Sequence, residues 1–132
     1  MTIAEACGKL GMPADTLRYY EKIGLIPPVR RTEGGIRCYE EVDCNWIEFI
    51  KCMRGSGVSV GLLVEYVRLF MEGDATVGQR KDILVSERDR IAAKVSEMQA
   101  TLDRLNMKID RYEAACAPVE RELLLAQRRL GR

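Results

Sequence analysis

Histidine is absent from this chain of 132 residues. With it go the commonest general base, the commonest ligand of borderline metals and the usual charge switch near neutral pH. No glycine loop of the phosphate-cradling kind, no nucleophile–base–acid triad and no paired carboxylates replace it; Glu72 and Asp74 sit together only as loop residues. Enzymatic activity is therefore not expected, and no cofactor or metal is implied. Long apolar runs are missing too. None approaches the roughly 18 residues that a membrane span needs. The opening MTIAEACGKLG has no basic stretch followed by an apolar block, so it does not read as a secretory signal. A soluble, cytoplasmic protein without membrane partners is expected. The cysteines are Cys7, Cys38, Cys44, Cys52 and Cys116, an odd number with no CxxC pair. In a reducing compartment such thiols behave as small hydrophobes.

What is present is organised by punctuation. Thr2-Ile3-Ala4-Glu5 fits a capping box, and the helix it opens should run to about Leu10 and stop at Gly11. Pro13 suits the first turn of a second helix, which should continue to Lys22 and end at Gly24. Two short helices joined by a tight turn make a helix-turn-helix. Pro27-Pro28 then forbids helix. Val29 to Arg31 and Ile36 to Tyr39 read as short strands around the turn residues Glu33-Gly34-Gly35, which makes a small β-wing. A helix from about Val42 to Arg54 should bury Val42, Trp46, Phe49, Ile50 and Met53. After Gly55-Ser56-Gly57, another from about Ser59 to Met71 should bury Leu62, Leu63, Tyr66, Val67 and Phe70.

From Thr76 to Cys116 there is no proline, and no glycine after Gly78. Ile91, Val95, Met98, Leu102, Leu105, Ile109, Tyr112 and Cys116 follow alternating steps of 4 and 3. That is a heptad seam with charge on most other faces. At ~1.5 Å per residue such a helix is about 60 Å long, whereas a compact chain of this size has a radius of gyration near ~14 Å. One copy cannot cover that seam, so a twofold homodimer is expected. Pro118 should end the helix, with a short charged tail or helix over 117–132. The fold class is thus mainly α: a winged helix-turn-helix module over 1–71, then a dimerisation helix over 76–116.

Residues 1–37 carry six basic side chains against four acidic ones, a local excess of two in a chain of net charge +1. Such a small excess leaves position to carry the argument. On the second helix Ala14 and Leu17, with Tyr20 or Ile23, face inward, and Asp15, Thr16, Arg18, Tyr19 and Lys22 point away. Outward cations beside a hydroxyl and a phenol suit a helix in the major groove, where cations hold phosphates and shorter polar groups reach base edges. Arg30, Arg31 and Arg37 on the wing suit clamping of the flanking backbone, and Tyr39 offers a hydroxyl to phosphate. Double-stranded DNA is the expected partner.

The block TLRYYEKIGLIPP, with the following GIRCY, closely resembles the MerR family of bacterial regulators, whose recognition helix and wing show T-L-R-Y-Y-E-x-x-G-L and G-x-R-x-Y. The resemblance covers about residues 1–71 and extends in architecture through the long helix. It implies a homodimer held by an antiparallel coiled coil on a twofold promoter site. Such regulators act on promoters whose two recognition elements lie too far apart, and effector binding makes them bend and untwist the DNA so that RNA polymerase engages. Carried over by position, Thr16, Arg18, Tyr19 and Tyr20 are recognition-helix contacts, and Arg37 and Tyr39 belong to the wing. Met12 departs from the family, which often has a Ser or Thr N-cap there, a cap worth about 1 kcal/mol. Bending a site of this kind costs of order 1–6 kcal/mol, a balance that an effector shifts only through different affinities for two protein conformations.

Metal-responsive members place a cysteine near the start of the long helix and a cysteine pair in a loop at its far end. Here Thr76 to Met98 has none, and no cysteine follows Cys116. Drug-binding members carry a large C-terminal domain, for which the 14 residues after Pro118 are too few. The remaining candidate is thiol chemistry at Cys52, flanked by Lys51 and Arg54, which would favour thiolate. WIEFIKCMR is similar to a subgroup that responds to reactive aldehydes or other electrophiles through a cysteine in this helix. Cys116, on the seam, is a weaker candidate for oxidation. The readings that compete are a buried, inert Cys52, a coiled-coil scaffold whose N-terminal module binds protein, and a metal-responsive regulator.

Overall fold

A computed structural model describes residues 1–131. Its helices are α1 (Ile3–Leu10), α2 (Ala14–Lys22), α3 (Glu41–Gly55), α4 (Val60–Glu72), α5 (Val77–Asp110) and α6 (Ala117–Leu130). A 3-10 turn (Asp74–Thr76) precedes α5, and a π-helical turn (Tyr112–Cys116) precedes α6. The chain divides into two compact units, Met1–Arg88 and Asp89–Arg132. The N-terminal unit therefore reaches beyond the expected boundary at residue 71 and takes in the first turns of α5.

Helix starts and stops follow local chemistry. The Thr2 hydroxyl accepts from the Glu5 N–H at 3.2 Å while the Glu5 carboxylate accepts from the Thr2 N–H at 3.2 Å, which satisfies two donors that a helix start leaves open. Gly11, at φ 65°, caps α1 in the left-handed region where a side chain would be strained. The N-cap of α2 is Pro13, without a side-chain hydrogen bond; Met12 is buried in the core instead of capping. At the far end the Leu25 N–H returns to the Tyr20 carbonyl at 2.9 Å and the Gly24 N–H to that of Glu21 at 3.2 Å. This is a Schellman closure with Gly24 at φ 83°. It sends Leu25 and Ile26 straight into the core.

The core of the N-terminal unit joins Ala6 and Leu10 of α1, Leu17 of α2, Leu25 and Ile26 after it, Cys44, Ile47 and Ile50 of α3, and Leu63 of α4. Each of the larger aliphatic side chains stabilises the fold by about 1.5–3 kcal/mol on burial. The buried face of α3 differs from the sequence-based expectation. Cys44 and Ile47 are inside, Val42 is 55% exposed, and Trp46, Phe49 and Met53 only flank the core. Trp46, Phe49, Tyr66 and Phe70 instead form an edge-to-face aromatic cluster between α3 and α4. Leu69 takes the buried place expected for Phe70.

The expected wing strands do not form. Among the described residues the segment holds one isolated antiparallel bridge, Arg31 with Arg37. The Cys38 N–H donates to the Arg30 carbonyl and the Thr32 N–H to that of Ile36, both at 2.7 Å. Five residues, Thr32 to Ile36, make the turn between the bridged pair, and beyond it the Val29 N–H goes to Glu21 and not to the other arm, so the wing is a tight hairpin without a ladder.

The long helix also ends earlier than expected, at Asp110 and not at Cys116. Pro118 cannot donate to the carbonyl of Ala114, and the backbone accommodates this by a wide turn before α6 begins. Pro118 thus lies in the first turn of the last helix and does not terminate the previous one. The turn is braced by the Tyr112 hydroxyl donating to Glu120 at 2.5 Å and by Lys108 pairing with Glu120 at 3.6 Å. In this unit Val95, Met98, Leu102, Leu105 and Ile109 are all exposed. Tyr112 and Cys116 fall outside α5, in the wide turn.

Candidate nucleic-acid interface

The amphipathic character of α2 sorts its residues into two sets. Leu17 is fully buried, and Tyr20 packs half-buried against the core, where burial pushes its phenol above the ordinary value despite the opposing charge of Arg54. Arg18, Tyr19 and Lys22 are exposed and Thr16 is half-exposed. Tyr20 therefore belongs with the packing residues and Tyr19 with the accessible ones. Asp15, Arg18, Tyr19, Glu21 and Lys22 of α2 line a concave surface of about 580 Å³ together with Arg31 and Arg37 of the hairpin. Helix and hairpin thus face one another across a hollow with four cations and two carboxylates.

Each hairpin arginine is held differently. Arg31 donates through Nη1 to the Gly35 carbonyl at 3.0 Å across the turn. Arg30 pairs with Glu40 at 3.1 Å, largely in solvent. Arg37 donates through Nε to Glu21 at 2.6 Å, and the two side chains are only 25% and 12% exposed. The second oxygen of Glu21 accepts from the Val29 N–H at 2.8 Å. Burial raises the Glu21 carboxyl, but the hydrogen bonds from Arg37 and Val29, with the charges of Arg37 and Arg31, outweigh it and hold the group below the usual carboxylate range. Glu21 is the residue that outward-face reasoning missed. Its signal was an acidic side chain in the last turn of the helix, where cations are favoured, three residues before the Gly24 stop and sixteen before Arg37.

Tyr39 is the clearest correction. Its side chain is 0% exposed, its hydroxyl is buried without a hydrogen-bond partner, and desolvation pushes its phenol up. Its backbone is fixed at both ends, the Tyr39 N–H to the Met1 carbonyl at 2.7 Å and the Met1 amine to the Tyr39 carbonyl at 2.6 Å. The ring belongs to the core and offers no hydroxyl to a surface ligand.

Cys52 is exposed on the last turn of α3. Its charged neighbours in sequence turn elsewhere. Lys51 donates to the Leu10 carbonyl at 3.2 Å and Arg54 to that of Val58 at 2.8 Å. Cys44 is buried, and Cys7, Cys38 and Cys116 are partly so. Among the described residues no group of three or more histidine, cysteine or acidic side chains is placed to hold a metal, and no helix is long and apolar enough to cross a membrane.

Comparison with known proteins agrees with this geometry. Residues 1–69 match the MerR HTH family regulatory protein domain. The HTH-type transcriptional regulator AdhR of Bacillus subtilis (strain 168) is 57% identical over 91 residues, 69% of this chain and 65% of that relative's length. A putative MerR family transcriptional regulator from Listeria monocytogenes superposes with a TM-score of 0.83 at 43% identity, covering 93% of both chains. HiNmlR, a MerR family regulator lacking the sensor domain and crystallised on promoter DNA, gives 0.76 at 31% identity over 88% of this chain and 92% of its own.

Proposed function

Because the chain belongs to the MerR family of helix-turn-helix regulators, we propose that it is a homodimeric, sequence-specific transcription regulator that acts on promoter DNA together with RNA polymerase. The observation that carries this reading is the hollow between α2 and the hairpin, where Arg18, Tyr19, Lys22 and Arg31 converge. In it the recognition helix enters a major groove with Thr16 and Tyr19 toward base edges, while the cations flank phosphates. The likeness to HiNmlR, which was crystallised on promoter DNA, supports the same placement. The exposed seam from Val95 to Ile109 supplies the dimer contact, two copies covering what one leaves open.

Binding of a labelled duplex from upstream of the gene, followed by fluorescence anisotropy across a salt series, tests this. Each phosphate contact contributes about −0.9 to the slope of log K against log salt. Arg18→Ala should weaken binding and flatten that slope by about 0.9 for each protomer bound. Binding that does not change in Arg18→Ala, or no binding by the native protein at low salt, refutes the reading.

The effector in this proposal is a reactive aldehyde or related electrophile sensed at Cys52. Support comes from the exposure of this thiol and from the match to AdhR. The sulfur adds to the carbonyl carbon, and the thiol proton passes to the carbonyl oxygen, giving a hemithioacetal. Lys51 and Arg54, turned to backbone carbonyls, do not assist it here. Intact-protein mass spectrometry after aldehyde exposure should find the adduct on Cys52, and Cys52→Ser should abolish the response of a promoter reporter. A response that survives in Cys52→Ser refutes this part alone.

A further inference from the structure

Both carboxylate oxygens of Glu21 are engaged within the protein, which makes it the most tightly held side chain of the hollow. One carboxylate oxygen takes Arg37 at 2.6 Å and the other takes the Val29 N–H at 2.8 Å. Those two partners sit on opposite arms of the hairpin, one before and one after its turn. A single bidentate acceptor on α2 thus fixes both arms to the helix. The far end of the hairpin is anchored by Tyr39 on Met1, but the two arms share only one bridge where a wing with strands would have a ladder, and Glu21 is the α2 side chain that bonds to both of them. A charge-assisted pair with three-quarters or more of each side chain out of solvent is not surrendered as readily as an exposed one.

We infer that Glu21 is a positioning residue for DNA recognition, and that Arg37 serves it as a strut instead of binding phosphate. Glu21 and Arg37 set the separation of helix and wing before DNA arrives. The hollow then meets the duplex with its width already fixed, and the cost of ordering a loop on binding is avoided. This inference rests on the DNA-binding reading for its consequence, but its structural half concerns the free protein alone.

Two measurements therefore separate them. In the free protein, amide exchange of Val29 and Cys38 should speed up at least ten-fold in Glu21→Gln and in Arg37→Ala, while the Leu25 amide, which closes α2, stays protected. If neither variant changes those rates, the strut inference falls whatever the protein does with DNA. On a duplex that the native protein binds, Glu21→Ala and Arg37→Ala should each weaken affinity about ten-fold, and the double variant no further than either single. The salt slope should keep its native value, and protection against hydroxyl radicals should be lost only on the wing side. Glu21→Gln, which keeps one acceptor oxygen and the side-chain volume, should recover part of the affinity, and it stands in if Glu21→Ala does not fold. The inference is overturned if Arg37→Ala flattens the slope by about 0.9 per protomer while Glu21→Ala binds as well as the native protein or better. Faster exchange in the variants of a native protein that binds no duplex refutes the regulator reading and leaves the strut standing.

Discussion

Replacing Tyr39 by phenylalanine should make the protein more stable, not less. The phenol hydroxyl is buried with no hydrogen-bond partner, on a ring that is 0% exposed. A buried hydroxyl stripped of water and given nothing in return costs about 1–3 kcal/mol, whereas the ring itself keeps its packing in Phe. The lower end of that range is the reasonable expectation, because removing one oxygen leaves a small void. For a unit of this size, 1 kcal/mol moves the melting midpoint by roughly 4–8 °C. Thermal and urea unfolding of Tyr39→Phe beside the native protein, at one fixed protomer concentration because dimerisation shifts the midpoint, gives the answer. Duplex affinity measured in parallel should not change. A destabilised variant would mean that the hydroxyl is satisfied in solution, and a variant of native stability but weaker affinity would return Tyr39 to the phosphate-contacting role that its place in GIRCY implies. Either result refutes the reasoning.

Further outcomes follow from the same coordinates. Leu102→Glu, at the middle of the exposed seam, places like charges in a twofold interface and should convert the dimer to monomer in sedimentation velocity at micromolar concentration, with loss of twofold duplex binding; a dimer that persists would place the interface elsewhere. Ile50→Ala removes a side chain that is fully buried at the centre of the N-terminal unit and should cost about 2–5 kcal/mol in urea unfolding, where a cost below about 1 kcal/mol would mean a core looser than described. The pH dependence of Glu21 has a definite sign. Its folded carboxyl lies below the ordinary range, so its contribution is complete at neutral pH and is lost as pH falls through the folded value. The stability gap between the native protein and Glu21→Gln should accordingly be full at pH 7, begin to shrink only as pH falls to the ordinary Glu value of about 4.3, and close below the lower folded value; a gap that ignores pH would mean that the charge of Glu21 does not matter.

How much of this was legible from sequence depended on whether the cause was local. The capping box at Thr2, the stop at Gly11 and the turn at Gly24 are written in residues within four positions of one another, and all three appear. The seam was legible from Ile91 to Ile109, where its spacing lies on one helix, but not at Tyr112 and Cys116, which the turn before Pro118 takes off it. The wing strands failed because a strand is defined by a partner, and beyond the Arg31–Arg37 bridge the Val29 N–H is taken by Glu21 and not by the other arm. The buried face of α3 was misread toward its large aromatics. Burial there is decided by α1 and α2, which take the smaller Cys44 and Ile47 inward and leave Trp46 and Phe49 to pack against Tyr66 and Phe70. Tyr39 and Glu21 exchanged roles for the same reason. A phenol looks accessible and a lone carboxylate looks solvated until the N-terminus closes over one and the hairpin over the other.

The small charge excess of the module has a physical explanation in these pairs. Arg18 meets Asp15, Arg30 meets Glu40 and Arg37 meets Glu21, so half of the basic side chains of residues 1–37 carry an internal counter-charge. Those pairs differ in how easily a phosphate displaces the carboxylate. Exposed pairs are worth about 0–1 kcal/mol, less than a phosphate returns, and the Arg18 and Arg30 pairs are of that kind. The Arg37 pair is mostly withdrawn from solvent and shares its carboxylate with a backbone N–H, so breaking it strands a buried donor as well. Lys22 has no ion-pair partner among the described residues and Arg31 is held to a carbonyl, so under the proposed reading neither has a carboxylate to give up before meeting a phosphate. An alanine scan should therefore flatten the salt slope fully at Lys22 and Arg31, nearly as much at Arg18 and Arg30, and not at Arg37. An equal effect at all five would mean that the carboxylates are bystanders, and that the hollow is no more selective than a patch of free cations.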